Sequence, residues 1–375
     1  MLKNIYYYGV GSLHNNESSV DGGKYIRLPF MTELCKKGYD VSWVGFDRDG
    51  QFNNKYLDLI GLHKNDYMID LRRNMVHKQN VMNADQTKVS VNVDLLIETS
   101  PGALFVELRP MLDKPGYNFM NEWNVQLELI DKFYDAGLPV FVWDQDVWAQ
   151  HFPDEHRHKF VLLRSYFEEV EGFPNQELFL YGWYDVPFDK KLIELSKNKK
   201  FDASYCGNVY GRRDEFLEYF SPFEKNELSV CVQGNWLRKK YDDRDFALDN
   251  FPHFMFFGRT PHWSTLPTVA MSKSVIQFSN AAQQAVGLPT ARIFETLMGR
   301  SVVFCTDKIK HIDRVAPEEL IVTSGDDLIE KWLKYDRDDE WASLRSKFER
   351  KLMIPEHSYA NRVMQLEDYT RKYYE

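Results

Sequence analysis

The sequence predicts an α/β protein of two doubly wound, Rossmann-like domains facing each other across a central cleft. Three observations carry this reading. The first 46 residues hold a strand, a glycine-bearing loop, a helix and a second strand. A fresh series of short apolar strands alternating with helices begins after the charged stretch 189–200. The length, 375 residues, exceeds what a single hydrophobic core usually supports.

Residues 4–10 are an aromatic and β-branched run with Gly9 and Gly11 at its end, the composition of a strand leading into a turn. A loop rich in Gly, Ser and Asn follows and closes with Asp21-Gly22-Gly23. Residues 24–37 read as a helix, because Ile26, Phe30 and Leu34 recur at helical spacing and Gly38 supplies a stop. Pro29 is expected to bend that helix or delay its start. Residues 41–46 complete the βαβ unit. Further on, 94–98 is expected as a buried strand, 125–136 as a helix and 139–143 as a strand. That last strand runs into Asp144-Gln145-Asp146.

The second half repeats the pattern. Residues 202–206 form a strand, 207–211 a turn, and a helix starts at Arg212. Short strands are expected at 228–233, 254–257, 274–278 and 301–305. From 326 onward the chain is charged and helical, interrupted near Pro355. These elements divide into domains at 1–186 and 187–357, with a last helix at about 358–375 that can pack back on the first domain.

Composition narrows the function. Cys35, Cys206, Cys231 and Cys305 stand singly, mostly in apolar runs, as reduced core residues do. No apolar run reaches the length of a membrane span and no signal-peptide pattern opens the chain, so a soluble, cytoplasmic protein is expected. A net charge of −9 opposes a nucleic-acid substrate, since DNA-binding surfaces carry excess positive charge, although a local basic face is compatible with it. Two stretches, 190–200 and Arg238-Lys239-Lys240 with Arg244, offer such a face; solvated surface is the other reading. His151, His156 and His158 lack zinc-ligand spacing. Neither a P-loop nor a Gly-x-Ser-x-Gly elbow is present.

Four places can carry chemistry. Asp144 follows a predicted strand, where parallel sheets bind ligands, and a carboxylate there can act as a general base. Asp146 can serve as a metal ligand or as an acceptor-side or positioning group, and both residues equally suit capping of the next segment. The turn from Gly207 to Arg213 offers backbone N–H groups and the guanidinium forks of Arg212 and Arg213 to a diphosphate, or else is a flexible turn with solvated arginines. Gly258 and Thr260, after another strand, can meet a nucleobase edge through the backbone. Arg292 and Glu295, three apart, share one helix face and can hold a diphosphate and a ribose, or form a structural pair.

Taken in order, these pieces resemble the T-even phage DNA β-glucosyltransferase family, two-domain glycosyltransferases of the GT-B fold. Val140 to Asp144 resembles the strand whose terminal aspartate is that family's catalytic base. Tyr205 to Asp214 resembles its phosphate loop, and Gln233-Gly234-Asn235 with Gly258-Arg259-Thr260-Pro261 its nucleotide-base region. Arg292-Ile293-Phe294-Glu295-Thr296 resembles its Arg-x-x-Glu-Thr helix, shared with wider GT-B enzymes. Two features depart from the pattern: Tyr210 stands about where the first of two arginines is expected, and this chain is acidic.

The resemblance implies a UDP-sugar as donor, held by Arg212, Arg213, Gly258, Thr260, Arg292, Glu295 and the loop glycines Gly22 and Gly23. It implies an acceptor hydroxyl on 5-hydroxymethylcytosine in duplex DNA, deprotonated by Asp144, with inversion at the anomeric carbon. Glucose is the default sugar and arabinose an option. A divalent ion, Mg or Mn, is compatible but not required, and a phage-encoded chain would work in the host cytoplasm. Two other readings stand beside this one: a GT-B transferase acting on a glycan or small molecule, which suits the acidic charge, and a non-catalytic nucleotide-sugar-binding protein.

Overall fold

The computed structural model describes residues 3–11, 24–44, 46–47, 76–78, 92–108, 113–114, 117–183, 190–208, 211–237, 243–258, 265–335 and 337–375. Gly22, Gly23, Tyr210, Arg259 and Thr260, singled out above, lie outside them.

Seven parallel strands form the first sheet: β1 (Asn4–Tyr8), β2 (Asp40–Trp43), β3 (Val76–Lys78), β4 (Gly102–Glu107), β5 (Val140–Asp144), β6 (Val161–Arg164) and β7 (Gln176–Leu178). Their order is β7-β6-β5-β4-β1-β2-β3. The chain winds outward from β1, returns to the centre at β4 and winds outward the other way, with α1 (Lys24–Lys36), α2 (Asn92–Thr99) and α3 (Phe119–Asp135) between strands. β1, β4, β5 and β6 are almost wholly buried, as sheets covered on both faces require.

After α4 (Lys190–Lys197) the second sheet repeats the plan with six parallel strands: β8 (Phe201–Cys206), β9 (Val230–Gln233), β10 (Met255–Phe257), β11 (Ser272–Gln277), β12 (Val302–Thr306) and β13 (Ile321–Val322). Their order is β10-β9-β8-β11-β12-β13. α5 (Arg213–Lys225) follows β8, α6 (Asp243–Asn250) follows β9, and α7 (Thr265–Ala270) precedes β11. α8 (Ala281–Ala285) and α9 (Ala291–Met298) lie between β11 and β12. In each sheet the winding reverses once, between β1 and β4 and between β8 and β11. Such switch points open a crevice at the carboxyl ends of the strands.

Three expectations need correction. Residues 94–98 are helical, in α2: Val93 is buried, Leu95 is 58% exposed, and the Thr99 hydroxyl donates to the Leu95 carbonyl at 2.7 Å. A three-residue apolar run has no period of its own, so strand and helix were indistinguishable there. The buried central strand is β4, just after Pro101. β6 and β7 went unexpected, although Val-Leu-Leu-Arg is buried throughout. Pro29 does not delay α1, which already starts at Lys24, and its neighbours Arg27 and Phe30 are fully buried, so packing outweighs one missing backbone donor.

Among the described residues, several contacts tie the two halves, and two groups of them stand out. Arg164, 5% exposed, donates to the carbonyls of Phe167 at 3.0 Å and Glu168 at 2.5 Å. That segment then donates from Phe167 N to Gly287 O (3.2 Å) and from Glu168 N to Val286 O (3.0 Å). Gly287 is required: φ is +68° and a Cβ would lie 2.4 Å from the Lys310 carbonyl. The second tie is the chain end. α10 (Gly325–Lys334) and α11 (Asp338–Leu352) flank the second sheet, and then α12 (Tyr359–Tyr374) lies on the first. There Arg362 Nε donates to Leu180 O (2.7 Å), and the Tyr374 hydroxyl donates to Val140 O (2.8 Å).

His357, in the turn before α12, sits beside the Phe294 ring of α9. Burial, helped by the Arg362 charge, pulls its pKa from 6.5 to about 4. Between those values the unfolded chain binds more protons than the folded one. This contribution to stability is therefore complete above pH 6.5 and is lost as pH falls toward 4. The thermal midpoint is expected to drop across that window less in His357→Gln than in the parent; equal drops would rule out this residue as a source.

Candidate active site

At the carboxyl edge of the second sheet, α9 presents the expected pair. Ile293, Phe294, Leu297 and Met298 pack into the core, which turns Arg292 toward Glu295 on the remaining face. The Arg292 Nη1 group meets the Glu295 carboxylate, with side chains only 16% and 4% exposed. Burial works against the Arg292 charge, but Glu295, Cys206 and Tyr205 together outweigh it and leave the guanidinium pKa raised. Arg292 Nε is buried without a hydrogen-bond partner. The helix start is also open. Thr290, at its N-cap, spends its hydroxyl on Gln277 Oε1 (2.9 Å) and makes no side-chain cap. A buried guanidinium with a donor to spare, beside uncapped backbone N–H groups, is suited to an anion.

The turn after β8 supplies the second cation. Arg212 donates to Asn208 O at 3.2 Å and reaches Gln283 Oε1 at 3.5 Å, while its Nε is buried without a partner. The charges of both arginines act on buried Tyr205. Burial raises its hydroxyl, and the Arg212 and Arg292 charges pull against that, leaving it at about 12. Arg292 likewise opposes the burial of Cys206, whose thiol stands at about 11. Arg212 and Arg292 therefore share one field. Arg213 does not join them: its guanidinium stacks over the Phe246 ring, 5.1 Å from the centroid.

The neighbouring loops are structural. Gly234 has φ +143°, and a Cβ there would meet the Gly207 carbonyl at 1.9 Å, so only glycine fits. Gln233 is buried, donating to Thr268 Oγ1 at 2.7 Å and accepting from the Cys206 thiol at 3.3 Å. It is occupied inside the sheet edge instead of facing a base. Gly258 is exposed after β10, and a Cβ there would meet nothing within 4 Å.

Across the cleft, the two carboxylates at the end of β5 separate into different roles. Asp144, expected as an accessible base, is 0% exposed. Its Oδ1 accepts from Asp146 N (3.2 Å) and Trp148 N (2.9 Å), and its Oδ2 from Ala149 N (2.8 Å) and the Tyr166 hydroxyl (2.8 Å). Four donors use the acceptor capacity of a carboxylate. Burial raises the Asp144 pKa while these donors hold it down. In this conformation Asp144 caps the turn, and its oxygens are taken by these four donors. The turn it holds is strained, with Val147 at φ +65°, an unfavourable region for a β-branched residue.

Held in this way, Asp146 is exposed and reaches the other domain, accepting from Gln283 Nε2 at 3.4 Å. Gln283 forms a capping box with Asn280 at the start of α8 and also meets Arg212. Asp146, Gln283 and Arg212 are therefore one polar chain spanning the cleft. Gln283 was not anticipated, although Asn280-Ala281-Ala282-Gln283 carries the capping-box pattern that could have flagged it. A second missed group lies at the first switch point. Arg27 and Glu107 form a buried two-bond ion pair (2.8 and 2.6 Å) joined by the Tyr7 hydroxyl at 2.6 Å. Among the described residues no group of three or more His, Cys, Asp or Glu side chains is placed to hold a metal ion, and no helix is long and apolar enough to cross a membrane.

Two doubly wound parallel domains with facing carboxyl edges, closed by a last helix that returns to the first domain, define the GT-B glycosyltransferase fold. Solved structures place the chain within it. It superposes on T4 phage β-glucosyltransferase in complex with UDP-glucose with a TM-score of 0.58, at 12% identity over 98% of both chains. An α-glucosyltransferase in complex with UDP and a 13-mer DNA gives 0.62 at 11% identity, over 98% of this chain and 99% of that one. The Anabaena protein HepE, in complex with UDP and glucose, gives 0.54 at 10% identity over 99% and 100%. No protein-family profile matches the chain, and no curated protein matches it in sequence.

Proposed function

We propose that this chain is a UDP-sugar-dependent glycosyltransferase whose acceptor is the hydroxyl of 5-hydroxymethylcytosine in duplex DNA. The observation that carries the reading is the polar chain from Arg212 through Gln283 to Asp146 across the cleft, beside the partly unsatisfied, buried Arg292 of α9. Arg292 and Arg212 bind the diphosphate, and Glu295 takes the ribose hydroxyls. Arg213, Gly258, Thr260, Gly22 and Gly23 remain donor-side candidates of lower rank on the sequence resemblance alone.

Asp146 removes the acceptor proton as the hydroxyl oxygen attacks the anomeric carbon. The bond from that carbon to the diphosphate breaks, and the electron pair leaves with UDP, stabilised by the two guanidiniums. One displacement inverts the anomeric centre. Asp144 acts as a positioning residue that holds the turn. Its raised pKa and the sequence resemblance favour a second assignment, in which one donor leaves Asp144 and that carboxylate becomes the base.

The DNA acceptor rests on the resemblance to phage DNA glucosyltransferases and on the fold shared with a DNA-bound α-glucosyltransferase. The target base would have to leave the stack to reach the cleft. A net charge of −9 supports the other acceptor class, a glycan or small molecule. Mass spectrometry of hydroxymethylated and plain DNA after incubation with UDP-glucose and UDP-arabinose tests this. The expected result is a gain of one sugar on the hydroxymethylated strand only. UDP binding with no gain from either donor would exclude the DNA acceptor with those sugars; absence of UDP binding would remove the whole assignment.

A further inference from the structure

The opposite edge of the second sheet holds a feature that the cleft does not use. Residues at the amino ends of β8, β11 and β12, together with one face of α11, line an open cavity of about 520 Å³. Among the described residues five cations line it, Lys197, Lys199, Lys273, Arg300 and Arg345, with Trp341 as an apolar wall and no carboxylate. For a chain of net charge −9 this is a marked local reversal of sign. Arg292 and Arg300 stand at opposite ends of the eight-residue α9, so the cavity lies on the order of 12 Å from the nearest donor residue, at the other edge of the sheet.

Three of the cations have carboxylate partners close by. Lys197 pairs with Glu194 and Lys273 with Asp202, each at 2.8 Å, and Arg345 Nε stands 3.5 Å from Glu349. Lys199 instead donates to carbonyls, Ala270 O at 2.8 Å and Arg300 O at 3.3 Å. Burial, then the Arg345 and Arg300 charges, push its pKa down to about 7. The backbone supplies an independent sign. Arg300 follows α9 at φ +57°, the left-handed position where glycine is the ordinary residue. A long cation kept there against conformational preference, with its side chain on the cavity, is the pattern of strain retained at a binding site.

We propose that this cavity is a second binding site, for a phosphate-bearing anion, separate from the donor cleft. Bound phosphate oxygens would accept from Arg300, Arg345 and Lys199, and their charge would offset the mutual repulsion of the three cations.

The test is calorimetric titration of the full chain with inorganic pyrophosphate in saturating UDP. The expected result is one saturable event, weakened at least roughly tenfold in Arg300→Gly and in Arg345→Gln, with UDP affinity unchanged in both. Arg300→Gly should also raise the thermal midpoint, because glycine accepts the left-handed conformation freely; the loss of binding could not then be ascribed to misfolding. No saturable heat, unchanged affinity in both variants, or an equal loss of UDP binding would overturn the proposal. The variants separate this site from the cleft even if the donor assignment fails.

Discussion

Replacing Arg292 with methionine is expected to abolish measurable UDP binding and to destabilise the protein by about 3–5 kcal/mol. Both effects have one cause. The Arg292 guanidinium and the Glu295 carboxylate sit together behind the core face of α9, with side chains only 16% and 4% exposed. Removing the cation strands the Glu295 charge in a low-dielectric site and also takes away a charge-assisted donor to the diphosphate. Calorimetry reads the binding and chemical denaturation the stability. The double variant Arg292→Met with Glu295→Gln separates the two roles: stability should largely return, since no charge is left stranded, and binding should not. Wild-type UDP affinity in Arg292→Met would show that the pair is structural.

Exchanging the two β5 carboxylates for amides should have opposite consequences. Asp146→Asn is expected to lower turnover by roughly 10²–10⁴-fold with stability and UDP affinity near normal, the range a general base contributes. Asp144→Asn is expected to destabilise the chain by on the order of 3 kcal/mol, because an amide nitrogen would face backbone N–H groups that the carboxylate now accepts from. Its loss of activity should follow from disorder of the turn. The converse outcome, a stable but inactive Asp144→Asn beside an active Asp146→Asn, would transfer the base to Asp144.

The architecture was legible because it is written in local signals. Glycine punctuation, short β-branched runs and intervening helical periods appear twice along the chain, and each set folds into a parallel sheet with one reversal of winding. Legibility failed where a run was too short to carry a period. Leu95-Leu96-Ile97 belongs to α2 although three apolar residues in a row suit a buried strand equally. Val161 to Arg164 is a strand whose burial comes from neighbours far away in sequence.

The candidate site divides along the same line. Residue type and spacing already placed Arg292 with Glu295 on one helix face, because three residues make nearly one turn of α-helix. The same spacing placed Asp144 and Asp146 at a strand end. It did not tell them apart, since a two-residue separation says nothing about which carboxylate meets Tyr166 and three backbone N–H groups and which meets Gln283 of the other domain. Nor did it separate Arg212, which shares a field with Arg292, from Arg213, which stacks on Phe246. By itself the sequence determined most of the elements, their alternation and the charged groups that could meet an anion. Tertiary structure alone decided which of those groups are spent inside the protein and which are left facing the cleft, because burial and hydrogen-bond saturation depend on partners distant in the chain.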